Sequence, residues 1–268
     1  MMIRQPIQKS TRIVLGIGTI ALVLVFYTFL SYRQHNINPD DSTIPTWHQL
    51  SEGIQTMVAI HPRSGDRWLV ADGKATAFRL FIGLGIGVGG AIIVGMLMGC
   101  LAIFEAAFMP VLSLAAKVPP TAILAVFFVL VGIDINMFIA MITFGVLPGL
   151  SMAIYLSIKQ VPDELIYKSY TLGASHFEVA WNIIFRHVLP NIIDSIRLQL
   201  GPAMVYLIAA EMLCADVGMG YRIRLQSRLL NMEVVYPYLA ALAGFGFGLD
   251  YILRRIQAWI CPWFLLKK

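Results

Sequence analysis

The sequence predicts an all-α membrane protein with about six transmembrane helices, and three observations carry that expectation. Of its 268 residues, 58% are apolar and 13% charged, whereas soluble domains run at about 45–50% and about 25%. Mean hydropathy is +0.75. Uncharged runs also recur along the chain at close to the roughly 20 residues that a bilayer crossing needs. One helical membrane domain uses up most of the residues and leaves no room for a sizeable soluble catalytic domain.

The net charge of +5 and pI near 9.2 do not indicate nucleic acid. The basic residues are scattered, and the last of them, Arg254, Arg255, Lys267 and Lys268, follow an apolar run in the manner of a membrane anchor. Cys100, Cys214 and Cys261 are far apart and lie in or beside apolar segments, so neither a disulfide framework nor a zinc site is indicated. The histidines at 35, 48, 61, 176 and 187 show no metal-ligand spacing.

Ile13 to Leu30 is an uncharged run behind Arg4, Lys9 and Arg12. It is too long for a signal peptide and no small-x-small cleavage site follows, so it reads as an uncleaved first crossing with the N-terminus inside. Tyr32 to about Ala75 is polar, carries Asp40, Asp41, Asp66 and Asp72, and holds the turn formers Pro39, Pro45 and "HPRSGD", His61 to Asp66. It predicts an external loop with a short helix around Trp47 to Val58.

The second crossing, Leu80 to Ile103, contains Gly85, Gly87 and Gly90 in a GxGxxG pattern. A dinucleotide site needs a preceding strand and a later acidic residue in a βαβ unit, and these glycines lie in an apolar span instead. Gly83 with Gly87 and Gly95 with Gly99, four apart, predict a smooth helix face for close packing. The third crossing, Phe108 to Val131, is interrupted by "KVPP", Lys117 to Pro120, whose two prolines remove backbone donors and force a break. After the turn "GIDIN" come the fourth crossing, Met137 to Ile158, and then the fifth and sixth, Ile192 to Leu213 and Val234 to Leu253.

Counting positive charges places ten on the inside (Arg4, Lys9, Arg12, Lys159, Lys168, Arg186, Arg254, Arg255, Lys267, Lys268). Seven fall outside (Arg33, Arg63, Arg67, Lys74, Arg222, Arg224, Arg228). The excess lies inside, and the expected cytoplasmic placement of both termini rests partly on the resemblance given below.

The polar stretch Lys159 to Asn191 is far longer than a helix hairpin needs. Pro162 before Asp163 and Glu164 starts a helix, Gly173 suits its end, and Ser175 with Glu178 forms a capping box opening a second helix that Pro190 closes. Phe177, Ala180, Trp181 and Ile184 give that second helix an apolar stripe at helical spacing, opposite His176, Asn182 and Arg186. Such a helix either lies on the membrane surface or docks onto a partner.

The same stretch resembles the EAA loop of permease subunits of binding-protein-dependent ABC importers, in the nitrate, sulfonate and taurine branch. Gly173 takes the glycine position, Ile183 the isoleucine position, and Val188 to Pro190 ends the loop as in that branch. Tyr167, Lys168 and Ser169 stand where Glu-Ala-Ala would be, and Phe185 and Arg186 replace a first Leu-Pro. Other segments match in order: "TAFR" (Thr76 to Arg79), "KVPPTAILAVFFVLVGI", "AAEML" (Ala209 to Leu213) and "GMGY". The likeness spans about Lys74 to Phe264.

The resemblance implies a type I ABC importer-like fold with a cytoplasmic coupling helix. It divides the chain into residues 1–75, an N-terminal crossing and external loop, and 76–264, a permease core with coupling loop 159–191. Tyr167, Lys168, Ser169, Gly173, Ala174, Ser175, Phe177, Glu178 and Trp181 would contact an ATPase subunit, whose closure would move the helix as a lever. The chain has no GxxxxGK[ST] sequence, so it is expected to be no enzyme, with ATP and Mg bound by two partner ATPase subunits. A second permease copy, an extracellular solute-binding protein and membrane lipid complete the partners, in a bacterial inner membrane. The solute would be small and polar: nitrate, a sulfonate such as taurine, bicarbonate, or a urea- or guanidine-like compound.

Ionisable groups inside crossings mark the path unless they snorkel or sit at an end. Glu211 is the foremost candidate for the path, or for a gate closed against Arg222 or Arg224, with a helix-end ion pair as the plain alternative. Arg79, also a path candidate, and Arg197 lie near helix ends and are explained by snorkelling. Asp250 precedes Arg254 by four residues and is expected to pair with it. Arg222, Arg224 and Arg228 form an external basic cluster flanked by Asp216 and Glu233. An ion-gradient secondary transporter would show paired intramembrane acids and repeated halves. A membrane enzyme would cluster His, Asp or Ser at one depth. Neither pattern is present in the sequence.

Overall fold

The computed structural model describes residues 8–38, 41–60 and 65–265. Arg4, Pro39, Asp40, His61, Arg63, Lys267 and Lys268, which entered the charge and turn arguments, lie outside the described residues, as does the side chain of Lys9. All regular elements among the described residues are helical, in the order α1 (Lys9–Ile37), α2 (Trp47–Val58), α3 (Trp68–Cys100), α4 (Ala102–Ala115), α5 (Leu124–Val131), α6 (Ile135–Lys159), α7 (Asp163–Thr171), α8 (His176–Glu178), a π-helical turn (Val179–Phe185), α9 (Arg186–Cys214), α10 (Met219–Arg228), α11 (Met232–Ile260) and α12 (Pro262–Leu265).

Five of these are long and apolar enough to cross a membrane: α1, α3, α6, the continuous rod from His176 to Cys214, and α11. The expected third crossing is a broken element. Its halves, α4 and α5, have 14 and 8 residues, about 21 and 12 Å of helix, and the backbone between them turns at Lys117–Ile123 around the proline pair.

The core is built on α6. Met141, Ile142, Val146, Leu150 and Ile154 are fully buried between α3 on one side and α9 on the other. The glycine face expected on α3 meets this helix. A Cβ at Gly83 would lie 2.8 Å from Ile142, one at Gly95 2.8 Å from Ile154, and one at Gly99 2.5 Å from Ile158. Glycine therefore lets the two helix surfaces touch through dispersion contacts that any side chain would hold apart. Gly95→Leu is expected to destabilise by about 1–3 kcal/mol through overpacking, whereas Gly89→Ala, with nothing within 4 Å, should be neutral or stabilising. Thermal unfolding of the two purified variants checks both.

The helix expected at Trp47 to Val58 is α2, opened by a capping box in which Thr46 and Gln49 bond reciprocally. It rests against α11. The apolar stretch of α1, by contrast, contains no buried residue and is held at its C-terminal half. Tyr27 donates to the Pro45 carbonyl at 2.7 Å, the Trp47 indole donates to Thr28 at 3.0 Å, and Gln34 donates to Asp41.

The Thr43 hydroxyl, Gln34 and the Thr43 N–H together hold the Asp41 carboxyl down at about 2, below its unfolded value of about 3.9. A depressed carboxylate stabilises the fold above about pH 4 and loses that contribution as pH falls toward 2. Pepsin cleavage of the α1–α2 connection should rise across that interval, and Asp41→Asn should already be susceptible at pH 4.

Candidate functional site

Two arrangements gather the candidate residues, one at each end of the bundle. At the end where α9 stops and α11 begins lies a buried polar knot. Asp72, Thr76 and Arg79 stand at i, i+4 and i+7 on α3 and so share one face. Opposite them are Glu211 in the last turn of α9, the first turn of α10, and Tyr238 of α11.

Glu211 is fully buried. Its carboxylate lies 3.0 Å from the Thr76 hydroxyl at both oxygens, 2.7 Å from Arg79 Nη1 and 2.9 Å from the Gly220 N–H. Asp72, also fully buried, accepts from Arg222 Nε at 2.8 Å, Tyr238 at 2.8 Å and the Gly218 N–H at 3.1 Å. Thr76 joins the halves, because its oxygen also accepts from the Met219 N–H at 2.9 Å. The Arg79 and Arg222 guanidiniums each lie 4.3 Å from an aromatic ring centre, that of Phe138 and Trp68 respectively. Both buried carboxylates thus have a cation and several neutral donors, which is what makes a desolvated charge tolerable.

Two glycines admit this packing. Gly218 has φ +140, and a Cβ there would lie 2.6 Å from the Glu211 carboxyl carbon. A Cβ at Gly220 would lie 2.7 Å from both the Ile208 carbonyl oxygen and Glu211 Cβ.

The knot corrects three expectations. Glu211 forms the helix-end ion pair given as the plain alternative, and its partner is Arg79, not Arg222 or Arg224. Arg222 belongs to Asp72, while Arg224 donates to the Leu213 carbonyl at 2.9 Å, so the expected basic cluster is divided among separate partners. Arg79 and Arg197 do not merely snorkel: Arg197 bonds Asp194 at 2.6 Å and Asp250 at 2.8 Å, and Asp250 shares its other oxygen with Arg254 at 2.9 Å. Sequence reasoning left out Asp72, Gly218, Gly220 and Tyr238 as site residues. The periodic spacing of Asp72, Thr76 and Arg79 was the available signal, obscured because residues 68–75 read as loop and are the first turns of α3.

At the other end, α7 begins after Pro162 with Asp163 and Glu164 in its first turn, and it carries Tyr167, Lys168 and Ser169. Gly173, at φ +86, reverses the chain. Ser175 and Glu178 then form the expected capping box, with the Ser175 N–H donating to Glu178 at 2.8 Å. The Tyr170 hydroxyl and His176 Nδ1, 2.9 Å apart, tie the two short helices together, and Ala174 sits half-buried between them.

Two features differ from expectation. A π-helical turn runs from Val179 to Phe185, and the expected stripe is unevenly covered, with Ile184 buried and Phe177 and Trp181 exposed, although Phe177, Ala180, Trp181 and Ile184 line one cavity. Pro190 does not close the helix. It is buried within α9, and its carbonyl accepts from Gln257 at 2.9 Å, so the loop helix and the fifth crossing form one rod from His176 to Cys214.

Comparison with known proteins agrees with this architecture. The family described as "Binding-protein-dependent transport system inner membrane component" matches residues 87–264. The chain is 29% identical over 255 residues to the taurine transport system permease protein TauC of Escherichia coli (strain K12), covering 95% of this chain and 91% of that one. It is 25% identical to the putative aliphatic sulfonates transport permease protein SsuC of Bacillus subtilis (strain 168), over 71% of this chain and 69% of that one. A chain of the inward-facing MetNI methionine ABC transporter superposes with a TM-score of 0.66 at 18% identity, over 72% of this chain and 96% of that one, which shows the fold. These likenesses support a permease and lend nothing to the ion-gradient alternative. With its family profile matched across the α3–α11 bundle, the chain belongs to the inner membrane components of binding-protein-dependent transport systems, as an ABC importer permease subunit.

Proposed function

We propose that this subunit acts as one of two copies in a homodimer, with two ATPase subunits binding ATP and Mg on the cytoplasmic side and a solute-binding protein outside. In this arrangement both chain termini are cytoplasmic, and the loop of α7 and α8 is the ATPase contact. The observation that carries the reading is the outward presentation of large apolar side chains on a loop of fixed geometry. Leu172, Phe177, Tyr167 and Trp181 are 88%, 76%, 67% and 52% exposed, beside a positive-φ glycine and a satisfied capping box. A loop meant only for water would not hold four such side chains outward, and a groove on a partner would bury them. Because the loop helix and α9 are one rod, a displacement of the loop is transmitted along the fifth crossing toward Glu211.

The solute class supported by the names of the relatives is a small sulfonate of the taurine type. The polar knot serves this cycle as a rigid joint that makes α3, α9, α10 and α11 move together at the external end, so Glu211, Arg79 and Arg222 act there by positioning helices.

Two substitutions test the loop in proteoliposomes containing the whole complex. Phe177→Asp is expected to weaken ATPase-subunit binding by roughly 30-fold or more, as for a buried interface anchor, without loss of membrane insertion. Gly173→Val, strained at φ +86, should abolish ATP-driven uptake in the same way. Normal uptake by both variants, or uptake driven by a proton gradient alone, would overturn the reading.

A further inference from the structure

The loop and the crossings line a cavity of about 800 Å³ that lies apart from the knot and shares Phe177 and Trp181 with the proposed ATPase contact. One wall is the last third of α3, with Ile93 and Met96, and the opposite wall is the π-helical turn, with Ala180, Trp181 and Ile184. Its volume is in the range of about 300–1,000 Å³ typical of small-molecule sites. Lining residues on α3 run from Ile92 to Cys100, so the cavity extends about 12 Å along that helix. Ile93 is 62% exposed within a crossing, which places an opening on the side of the bundle, at membrane depth.

The distribution of polarity is uneven. The interior is aliphatic and aromatic, whereas Lys159, Asp163, Tyr170 and His176 form the rim at the loop end. Lys159 is half-exposed and 2.8 Å from Glu105, and its ammonium carries three donors. Asp163, on the exposed start of α7, puts an acceptor on the same rim. A slot that runs parallel to a transmembrane helix, is apolar inside and carries both charge signs at its mouth matches one ligand chemistry. That chemistry is an acyl chain attached to a head with a phosphate and a primary ammonium.

We propose that the cavity binds one acyl chain of a zwitterionic aminophospholipid from the adjacent leaflet. Lys159 takes the phosphate, Asp163 takes the ammonium, and the chain lies between α3 and the π-helical turn. Phe177, Ala180, Trp181 and Ile184 line that side of the cavity together. A chain lodged there props the loop against the membrane-fixed ends of α3 and α6. Its effect on coupling rests on the reading of the loop as the ATPase contact, but the binding itself does not.

The test uses the complex purified with its ATPase partners, in nanodiscs whose phosphatidylethanolamine carries brominated acyl chains. Bromine quenches nearby indole fluorescence, and subtracting the Trp181→Phe variant isolates Trp181 from the other tryptophans. We expect Trp181-specific quenching that is at least twofold stronger with brominated phosphatidylethanolamine than with brominated phosphatidylglycerol, and that falls in Ala180→Phe, where the added ring fills the slot. Quenching equal in wild type and Trp181→Phe would overturn the proposal, as would an occupant from the ATPase subunit or the second copy that shields Trp181 from every brominated lipid. Equal quenching by both headgroups would overturn the rim assignment. In a separate arm, replacing phosphatidylethanolamine with phosphatidylglycerol should lower solute-stimulated ATP hydrolysis several-fold over the basal rate. Failure of that arm alone refutes the coupling role, and failure of the quenching arm alone refutes the site.

Discussion

Glu211→Ala is expected to cost about 3–5 kcal/mol, because it leaves the Arg79 guanidinium, 15% exposed, without its carboxylate. The Thr76 hydroxyl and the Gly220 N–H lose their acceptor in the same step, and unmet buried donors add to the loss. Thermal unfolding of the purified complex should show a large drop in Tm, and uptake should disappear with it. The informative variant is the double replacement Arg79→Met with Glu211→Leu, since exchanging a buried pair for apolar side chains of similar volume is often close to neutral. Stability should return in the double variant, giving a coupling energy between the two sites on the order of 3 kcal/mol in a double-mutant cycle. If uptake returns with it, the pair acts only by holding helices together. A stable double variant that does not transport would instead place the charges themselves in the transport cycle.

Gly218→Ala is expected to be nearly as damaging for a different reason. The backbone there has φ +140 and ψ 161, a region open essentially to glycine alone, so alanine pays about 1–3 kcal/mol in backbone strain. Its methyl would also fall 2.6 Å from the Glu211 carboxyl carbon and displace the group on which the knot depends. Strain and displacement add to about 2–6 kcal/mol, enough to lower Tm and expose the α9–α10 connection to protease. Gly201→Ala is the control, since nothing lies within 4 Å of a Cβ there. Equal sensitivity of the two glycines would mean that the knot contributes little.

Part of this architecture is legible in one dimension because it rests on local patterns. Apolar run length gives the crossings, four-residue glycine spacing gives the α3 face, and the pairs Thr46/Gln49 and Ser175/Glu178 fix helix starts through bonds spanning three residues. The proline pair at Pro119 and Pro120 likewise announces a break. Pro190 misled for an instructive reason: a missing N–H ends a helix only where nothing re-satisfies the freed groups. Here the freed group is the carbonyl of Arg186, one turn before the proline, and the rod continues past it from the π turn that ends at Phe185.

The sequence by itself determined that the chain is a helical membrane protein, most of its crossings, and the capping-box and glycine punctuation of its loop, since each follows from run length or from bonds between near neighbours. The permease type followed from the resemblance to a known family. Only the tertiary structure decided which charge answers which. Asp72 and Arg222 are 150 residues apart, and Thr76 and Glu211 are 135 apart. Four arginines and several acids can be paired in many ways on paper. Desolvation selects among them, because a buried carboxylate persists only where the fold brings it a cation and enough donors at once. That condition is met by the packing of α3 against the ends of α9, α10 and α11, and by no single stretch of the chain.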